Sequence, residues 1–208
     1  MHDEAGSTEA FYEARTGAGT VRVIARHLMA AWPDLTGQAL LGLGYTSPFL
    51  DLWRGQTVLT AEGRFRSADE AAPPGKSRVA TCLVDEMALP FPDLSFDRIL
   101  MIHALETAAS IRTVLRNVWK ILKDDGKLIL IVPNRRGIWS FNEGTPFGQG
   151  TPFSQRQVRK RLNEAFFHVE CSRTALYPPP FPPLCRPKVE MILERAGSTV
   201  LPACGGVV

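Results

Sequence analysis

The fold of this chain is decided by residues 40–52, LLGLGYTSPFLDL. The apolar residues 38–43 predict a short buried strand, and Gly44 begins a turn after it. A short helix is expected next, because Ser47 is a good N-cap residue and Pro48 suits the first helical position. A strand that runs through a glycine turn into a helix is typical of the ligand-binding edge of an α/β sheet.

Outward from this stretch, the pattern predicts strands in residues 57–61, 78–84, 96–105 and 127–133. Residues 110–123 have one apolar face and predict an amphipathic helix. Residues 154–166 predict a further helix, in which Ser154 and Gln157 match a capping box. A strand is expected over residues 168–176 and a last helix over residues 187–197. A helix is also expected from Ser7 onward, with an apolar stripe made of Val21, Ile24, Leu28 and Ala31. Strands that alternate with helices predict an α/β fold: a Rossmann-like, doubly wound, mostly parallel sheet with helices on both faces.

Four candidate site residues, Gly44, Glu62, Asp85 and His103, fall at the ends of predicted strands. Parallel strands end at a common edge of the sheet, and ligands bind where the strand order reverses. We therefore expect these residues to come from distant parts of the sequence to one edge. This convergence is the main functional signal in the residues themselves.

Composition excludes several classes of protein. No apolar run approaches the roughly 20 residues that span a bilayer, and the acidic, polar N-terminal residues do not form a signal peptide. A cytoplasmic protein without membrane contact is expected. The four cysteines form no CxxC pair, so no metal site is predicted.

Charge is distributed unevenly along the chain. Residues 1–111 carry 9 basic and 14 acidic side chains, whereas residues 112–208 carry 15 basic and 7 acidic ones. A basic surface can attract an acidic substrate, a nucleic acid or a protein partner. We expect a solvated helix face or a protein partner rather than nucleic acid.

The turn GLGYTS, with Glu62 eighteen residues after Gly44, fits a nucleotide-binding fingerprint of the G-x-G-x-x-small type. A pyrophosphate needs free amide groups at the following helix start. Ser47 as N-cap would occupy one of these amides, and Pro48 has none. This start disfavours a nicotinamide dinucleotide and an oxidoreductase. It suits a cofactor that approaches the backbone closely and contacts the turn through a ribose.

Residues 84–135 carry the pattern D-x-x-x-LPF-x-x-x-x-FD, with Asp85, Leu89 to Phe91, and Phe96 to Asp97, followed by a helix and an LKDDG turn. This pattern resembles the class I S-adenosylmethionine-dependent methyltransferases, of the methyltransferase-11 type. The GLGY-x-x-P loop, the PNRRG-x-W segment and the TPFG-x-G stretch resemble one subgroup. The resemblance implies S-adenosylmethionine as cofactor, S-adenosylhomocysteine as product, and a small-molecule or protein methyl acceptor.

The resemblance also implies a set of cofactor-binding residues, which we list in chain order: Gly42, Gly44, Tyr45, Glu62, Asp85, Glu86, Met87 and His103. In relatives an acid at position 42 helps to hold the cofactor's amino group, and here it is glycine. Glu62 would accept the ribose hydroxyls, and Asp85 the adenine amino group. The Glu86 backbone and Met87 would lie beside the adenine ring. His103 would contact the methionine or substrate side, and it is either a packing or hydrogen-bonding residue or the candidate general base.

One methyltransferase-like domain is expected over residues 1–208, with an N-terminal helical cap in 1–37 and a cofactor-binding core in 38–135. Residues 136–208 would supply a lid, the substrate region and C-terminal elements. We expect the C-terminal elements to be shortened, because the sequence stops where a final strand would begin. The alternative is a catalytically weak relative that acts as a partner or regulatory subunit. Three departures from the family pattern motivate this alternative: glycine in place of an acid at position 42, the absence of the second and third glycines that relatives have in this loop, and the KDDG turn.

Overall fold

The computed structural model describes residues 8–65, 79–177, 194 and 205–207. The chain divides into two compact units. The first is formed by residues 1–31, 132–158 and 170–208, and the second by residues 32–131 and 159–169.

The second unit contains a five-stranded, fully parallel sheet in the order β3-β2-β1-β4-β5. Its strands are β1 (Ala39–Gly44), β2 (Leu59–Phe65), β3 (Ala80–Val84), β4 (Phe96–Ile102) and β5 (Leu122–Ile131). The predicted doubly wound parallel sheet is confirmed. The order reverses between β1 and β4, which places the ligand-binding switch point beyond Gly44 and Ile102.

The helices are α1 (Thr8–Glu13), α2 (Arg15–Ala31), α3 (Ser47–Leu50), α4 (Ile111–Ile121) and α5 (Gln155–Glu164). The single N-terminal helix predicted from Ser7 is thus two helices with a break at Ala14. The predicted apolar stripe was also shifted, because Ala31 is exposed and the buried side is formed by Thr20, Val23, Ile24 and Leu28.

Three strand boundaries differ from the prediction by three residues or more. Strand β4 ends at Ile102, three residues before the predicted end at position 105. Strand β2 runs four residues beyond the predicted end at Ala61, so Glu62 lies within the strand rather than at its end. Strand β5 begins at Leu122 and includes the KDDG segment, which we expected to be a turn. The register with β4 shifts there, since Phe96 pairs with Leu122 and Arg98 with Lys127. The segment is therefore an irregularity inside the ladder.

The FD pair of the sequence pattern joins the starts of three strands. Asp97 Oδ2 accepts a hydrogen bond from the Ala39 amide at 2.9 Å, and Lys123 Nζ lies 2.9 Å from both Asp97 oxygens. Phe96 is buried and packs edge-on against Phe91, with ring centroids 5.3 Å apart. This pair therefore anchors the amino-terminal edge of β1, β4 and β5.

The first unit has an aromatic core built from distant segments. Phe11 of α1 meets the rings of Trp139 and Phe147 at centroid distances of 6.3 and 6.2 Å. A Cβ built at Gly17 would overlap the Phe11 carbonyl oxygen, so glycine allows α1 to approach α2. Trp139 and Phe147 are both buried. The aromatic residues of the predicted lid therefore serve as core in this unit.

Asn134 of the PNRRG segment joins this segment to residues 205–207 of the same unit. Its amide donates to the Gly206 carbonyl at 2.9 Å, and its side-chain Nδ2 donates to the Gly205 carbonyl at 2.7 Å. Val207 forms antiparallel bridges with Pro133 and with Ala175. Val207 therefore lies between Pro133 and Ala175, and both of its bridges are antiparallel.

Other predictions for this part of the chain have mixed outcomes. The capping box of α5 is confirmed, because the Ser154 amide donates to Gln157 Oε1 at 2.9 Å and the Gln157 amide donates to Ser154 Oγ at 3.3 Å. The strand predicted over residues 168–176 is absent apart from the bridge at Ala175. The last predicted helix, in residues 187–197, lies outside the described residues except for Glu194.

Among the described residues, no helix has the length and apolar character needed to cross a membrane. In the same part of the chain, His, Cys, Asp and Glu side chains nowhere form a group of three or more that could hold a metal ion.

Asp97→Asn is expected to lower the free energy of unfolding by about 1–2 kcal/mol at neutral pH, because Ala39 and Lys123 lose a charged acceptor. Burial raises the pKa of the Asp97 carboxyl, but the Ala39 amide and Lys123 outweigh burial and hold the pKa below its ordinary value. The stabilisation is therefore complete above about pH 4 and is lost as the pH falls through the folded-state value. Urea unfolding between neutral and acidic pH measures it.

The control is Asp93→Asn, which changes an exposed aspartate in the loop before β4. Equal losses in the two variants, or a difference that does not narrow in acid, would contradict the anchoring role of Asp97.

Candidate functional site

The glycine turn lies at the switch point of the sheet. Gly44 is the last residue of β1, has φ of +88°, and pairs with Ile102, the last residue of β4. A Cβ at Gly44 would overlap the Ile102 carbonyl oxygen, so only glycine permits this approach. The Tyr45 amide then donates to that same carbonyl at 2.8 Å. The turn is therefore held flat against the end of β4.

A fully buried carboxylate, that of Glu62, holds the turn from below. Its Oε1 accepts hydrogen bonds from the Thr46 amide at 2.9 Å and from Thr46 Oγ1 at 3.0 Å. Its Oε2 accepts from Ser47 Oγ at 2.6 Å and from Thr81 Oγ1 at 3.2 Å. We call Glu62 with these three partners the Glu62 clasp. It ties β1, β2 and β3 together beneath the turn.

The clasp also includes a counter-charge. Arg64 Nε lies 3.4 Å from Glu62 Oε2, and Arg64 Nη2 donates to Ser47 Oγ at 3.1 Å. The same guanidinium lies over the Tyr45 ring, 4.9 Å from its centroid. Arg64 is itself buried. It therefore balances the Glu62 charge and fixes the side of the turn that Tyr45 forms.

Ser47 and Glu62 do not have the positions that the sequence predicted for them. Ser47 is not the N-cap of α3: the cap position is Thr46, and the Ser47 hydroxyl donates to Glu62 instead. Glu62 was expected at the open edge, ready to accept ribose hydroxyls, but it is buried and both oxygens already accept hydrogen bonds. The reason is that β2 extends past position 62 and pairs Glu62 with Gly42 and Thr81.

Gly42 has no room for a side chain. A Cβ at this position would overlap Thr46 Oγ1 and would lie 2.8 Å from Thr46 Cβ and 3.0 Å from Leu50 Cδ1. Thr46 stands two residues after Gly44, and its side chain fills the space above position 42. Glycine at 42 and threonine at 46 are thus structurally coupled.

The segment after β3 has a different character, since it is partly open to solvent. Asp85 directly follows β3, is exposed, and accepts a hydrogen bond from the Met87 amide at 2.8 Å. The Met87 residue is 56% exposed. Asn117 Nδ2 of α4 donates to the Glu86 and Met87 carbonyls at 3.2 and 2.9 Å. Helix α4 therefore holds this segment in place.

Past β4 the chain forms a buried pair, His103 and Glu106. His103 Nδ1 lies 3.0 Å from Glu106 Oε1, and the two side chains are 8% and 1% exposed. His103 has φ of +53°, a left-handed conformation that is uncommon for a residue other than glycine. The carbonyl carbon of His103 would lie 3.1 Å from a Cβ at Gly44. The pair is therefore positioned at the glycine turn.

The structure brings Gly44, Tyr45 and His103 together at the switch point, and places Asp85, Glu86 and Met87 beyond β3 on the same sheet edge. It puts Gly42 and Glu62 beneath the turn instead. Five residues of the site were not predicted from the sequence: Thr46, Arg64, Thr81, Glu106 and Asn117. Glu106 had a detectable signal, because it stands three residues after His103. The others act through contacts that only the folded sheet creates.

Glu62→Gln is expected to lower the free energy of unfolding by about 3 kcal/mol, because it leaves Arg64 buried without a counter-charge and presents an amide to hydrogen-bond donors. Urea unfolding at neutral pH measures the loss. The control is Glu164→Gln, at an exposed carboxylate that pairs with Arg161 on α5 and should change stability by less than about 1 kcal/mol. Equal effects would show that the clasp does not hold the unit together.

Gly42→Ala is expected to cost about 1–3 kcal/mol of stability, because the new methyl group overpacks against Thr46. In a Thr46→Gly background the same change should cost at least about 1 kcal/mol less, since the overlapping atoms are gone. A double-mutant cycle by urea unfolding measures this coupling. Strict additivity of the two changes would refute the proposed packing of Thr46 against Gly42.

A comparison with known protein families finds a match for the central part of the chain. Residues 41–130 match the family model described as Methyltransferase domain. The demethylmenaquinone methyltransferase of Symbiobacterium thermophilum is 38% identical over 61 residues, which are 29% of this chain and 24% of that protein. The matched stretch is thus about a quarter of the length of this curated relative.

Solved structures share the fold. A SAM-dependent methyltransferase from Thermotoga maritima has a TM-score of 0.63 at 20% identity, covering 83% of this chain and 82% of that one. A complex between the Trm112 methyltransferase activator and a methyltransferase, from Haloferax volcanii, has a TM-score of 0.60 at 19% identity, covering 81% and 79%. Residues 41–130 therefore match a methyltransferase domain, on the Rossmann-like fold of the class I methyltransferases.

Proposed function

We propose that this chain is an S-adenosylmethionine-dependent methyltransferase whose acceptor is a small molecule or a partner protein. One observation carries the proposal: a glycine turn, an exposed aspartate and a buried histidine follow β1, β3 and β4 at the carboxyl edge of a sheet that reverses between β1 and β4. The match of residues 41–130 to a methyltransferase domain supports the same activity.

The glycine turn supports a nucleoside cofactor without phosphate groups. The Thr46 amide, which a phosphate would need, already donates to Glu62 at 2.9 Å. Pro48 has no amide hydrogen, and α3 is only four residues long. A carboxylate directly beneath the turn would also repel an anion. These features disfavour a dinucleotide and leave the close backbone approach at Gly44 available to a ribose and a sulfonium.

The segment after β3 supports an adenine site. Asp85 is exposed at the end of its strand and can accept a hydrogen bond from an exocyclic amino group. Met87 presents an exposed apolar side chain of the kind that packs against a ring. Because Asn117 holds both backbone carbonyls of Glu86 and Met87, this surface is ordered before a ligand binds.

Glu62 has a positioning role in this proposal. Its oxygens hold Thr46 and Ser47 in place, so the shape of the turn does not depend on the ligand. The ribose would then contact the backbone of the turn and Tyr45, whose ring is fixed beneath Arg64.

S-adenosylmethionine, when bound, supplies a methyl group that is already activated on a sulfonium. The residues of the chain therefore need to bind the cofactor, align the acceptor with it and exclude water. The exposed basic side chains of α5, which are Arg156, Arg159, Lys160 and Arg161, offer an acidic acceptor or protein partner a surface of opposite charge.

Isothermal titration calorimetry tests the cofactor. We expect S-adenosylmethionine and S-adenosylhomocysteine to bind with dissociation constants on the order of micromolar, and NAD to give no heat. Asp85→Ala should weaken both adenosyl ligands about tenfold, because a charge-assisted hydrogen bond to adenine is lost. Asp93→Ala, at an exposed aspartate outside the proposed site, should bind as the wild type does.

Absence of heat from both adenosyl ligands at about 1 mM, a concentration that detects even weak binding, would overturn the proposal. Binding of NAD instead would replace it with an oxidoreductase.

A further inference from the structure

Among the described residues, one buried carboxylate oxygen in the segment after β4 has no hydrogen-bond partner. Glu106 is 5% exposed, and its Oε1 is paired with His103 Nδ1. Its Oε2 is buried and, among the described residues, accepts no hydrogen bond. A buried charged group is normally fully hydrogen-bonded, because leaving an oxygen unpaired is costly. An oxygen left in this state is typical of a ligand contact.

This oxygen belongs to the segment that touches the glycine turn. A Cβ at Gly44 would overlap the Ile102 carbonyl oxygen and lie 3.0 Å from Ala104 Cβ. Ala104 and Leu105 are both 1% exposed, so the segment is packed in place. Glu106 therefore sits in a rigid stretch that begins at the switch point, on the β4 side of Gly44.

The proposed cofactor has an α-ammonium group that requires a negative partner when it is taken from water. Four carboxylates border the turn and the adenine segment, and one of them, Glu86, accepts a hydrogen bond from the Ala109 amide, 3.1 Å from each of its oxygens. Glu62 has both oxygens occupied by protein donors, and Asp85 follows β3, two strands away from β1. Position 42 has neither an acid nor space for one. Glu106, in the segment that follows β4, remains as the carboxylate with an oxygen that accepts no hydrogen bond from the described residues.

Resting on the proposed function, we infer that Glu106 Oε2 accepts a hydrogen bond from the α-ammonium group of the cofactor's amino-acid part. His103 is the positioning residue, since its ring holds the other oxygen of Glu106. The left-handed backbone at His103 turns the chain so that Glu106 returns toward the end of β4. The pair therefore forms the amino-acid end of the cofactor site.

Glu106→Gln tests this contact by calorimetry with three thioethers, none of which has a sulfonium charge. S-adenosylhomocysteine has the amine and the carboxylate, its decarboxylated analogue has the amine alone, and 5′-methylthioadenosine has neither. The variant should bind the first two about tenfold to a hundredfold more weakly and 5′-methylthioadenosine within about twofold of wild type. Glu106→Asp, which keeps the charge, should recover part of the loss. Glu143→Gln, at an exposed position, is the matched control.

Thermal unfolding without ligand separates this contact from a folding defect. Removing an unpaired buried charge should leave the midpoint of Glu106→Gln equal to or above that of wild type, while the shift produced by S-adenosylhomocysteine becomes smaller. An equal loss of affinity for all three ligands would overturn the inference and leave the proposed function standing. Unchanged affinity of Glu106→Gln for all three ligands would also overturn the inference. If methyl transfer were slower in that variant, His103 and Glu106 would act on the methyl acceptor instead. Failure of wild type to bind any of them would overturn both.

Discussion

The buried carboxylate of Glu62 is the constraint on which the rest of the site depends. It accepts hydrogen bonds from the Thr46 amide and from the hydroxyls of Thr46, Ser47 and Thr81, and it faces Arg64. Donors from the turn after β1 and from β3 converge on this one residue of β2. A charge at this depth is tolerated only because each lone pair has a partner. The turn is thus shaped by the protein before any ligand arrives.

Two consequences follow from that constraint. The amide that would bind a phosphate is already used, so the turn favours a cofactor that approaches the backbone through a ribose and a sulfonium. Thr46, drawn down to Glu62, fills the space above Gly42, and an acid at position 42 is excluded. The negative charge for the cofactor's amino group then has to come from another strand, and Glu106 after β4 is placed to supply it. The departures from the usual glycine fingerprint are therefore connected with one another.

Much of the fold was readable from local patterns. The alternation of apolar strands and helices predicted the parallel sheet, the apolar face of residues 110–123 predicted α4, and Ser154 with Gln157 predicted the start of α5. These features depend on residues a few positions apart. Gly44 and Asp85 were placed correctly at strand ends because β1 and β3 end where their apolar runs end. Strand β4 ends at Ile102, before its apolar run does, because His103 has a left-handed backbone.

The missed features depend on contacts between distant residues. The end of β2 could not be predicted, because Glu62 is polar and belongs to the strand only through its partners on β1 and β3. Ser47 looks like an N-cap until Glu62 competes for its hydroxyl. Trp139 and Phe147 belong to the segment that was predicted as a lid, and they form a core with Phe11 from the other end of the chain.

A crystal structure of this chain with S-adenosylhomocysteine tests the central claim most directly. We predict that the ligand lies against Gly44 while Glu62 still accepts a hydrogen bond from the Thr46 amide at about 3 Å. A Glu62 side chain turned away from Thr46 to hold the ribose hydroxyls would contradict it, and so would a ligand bound away from the switch point between β1 and β4.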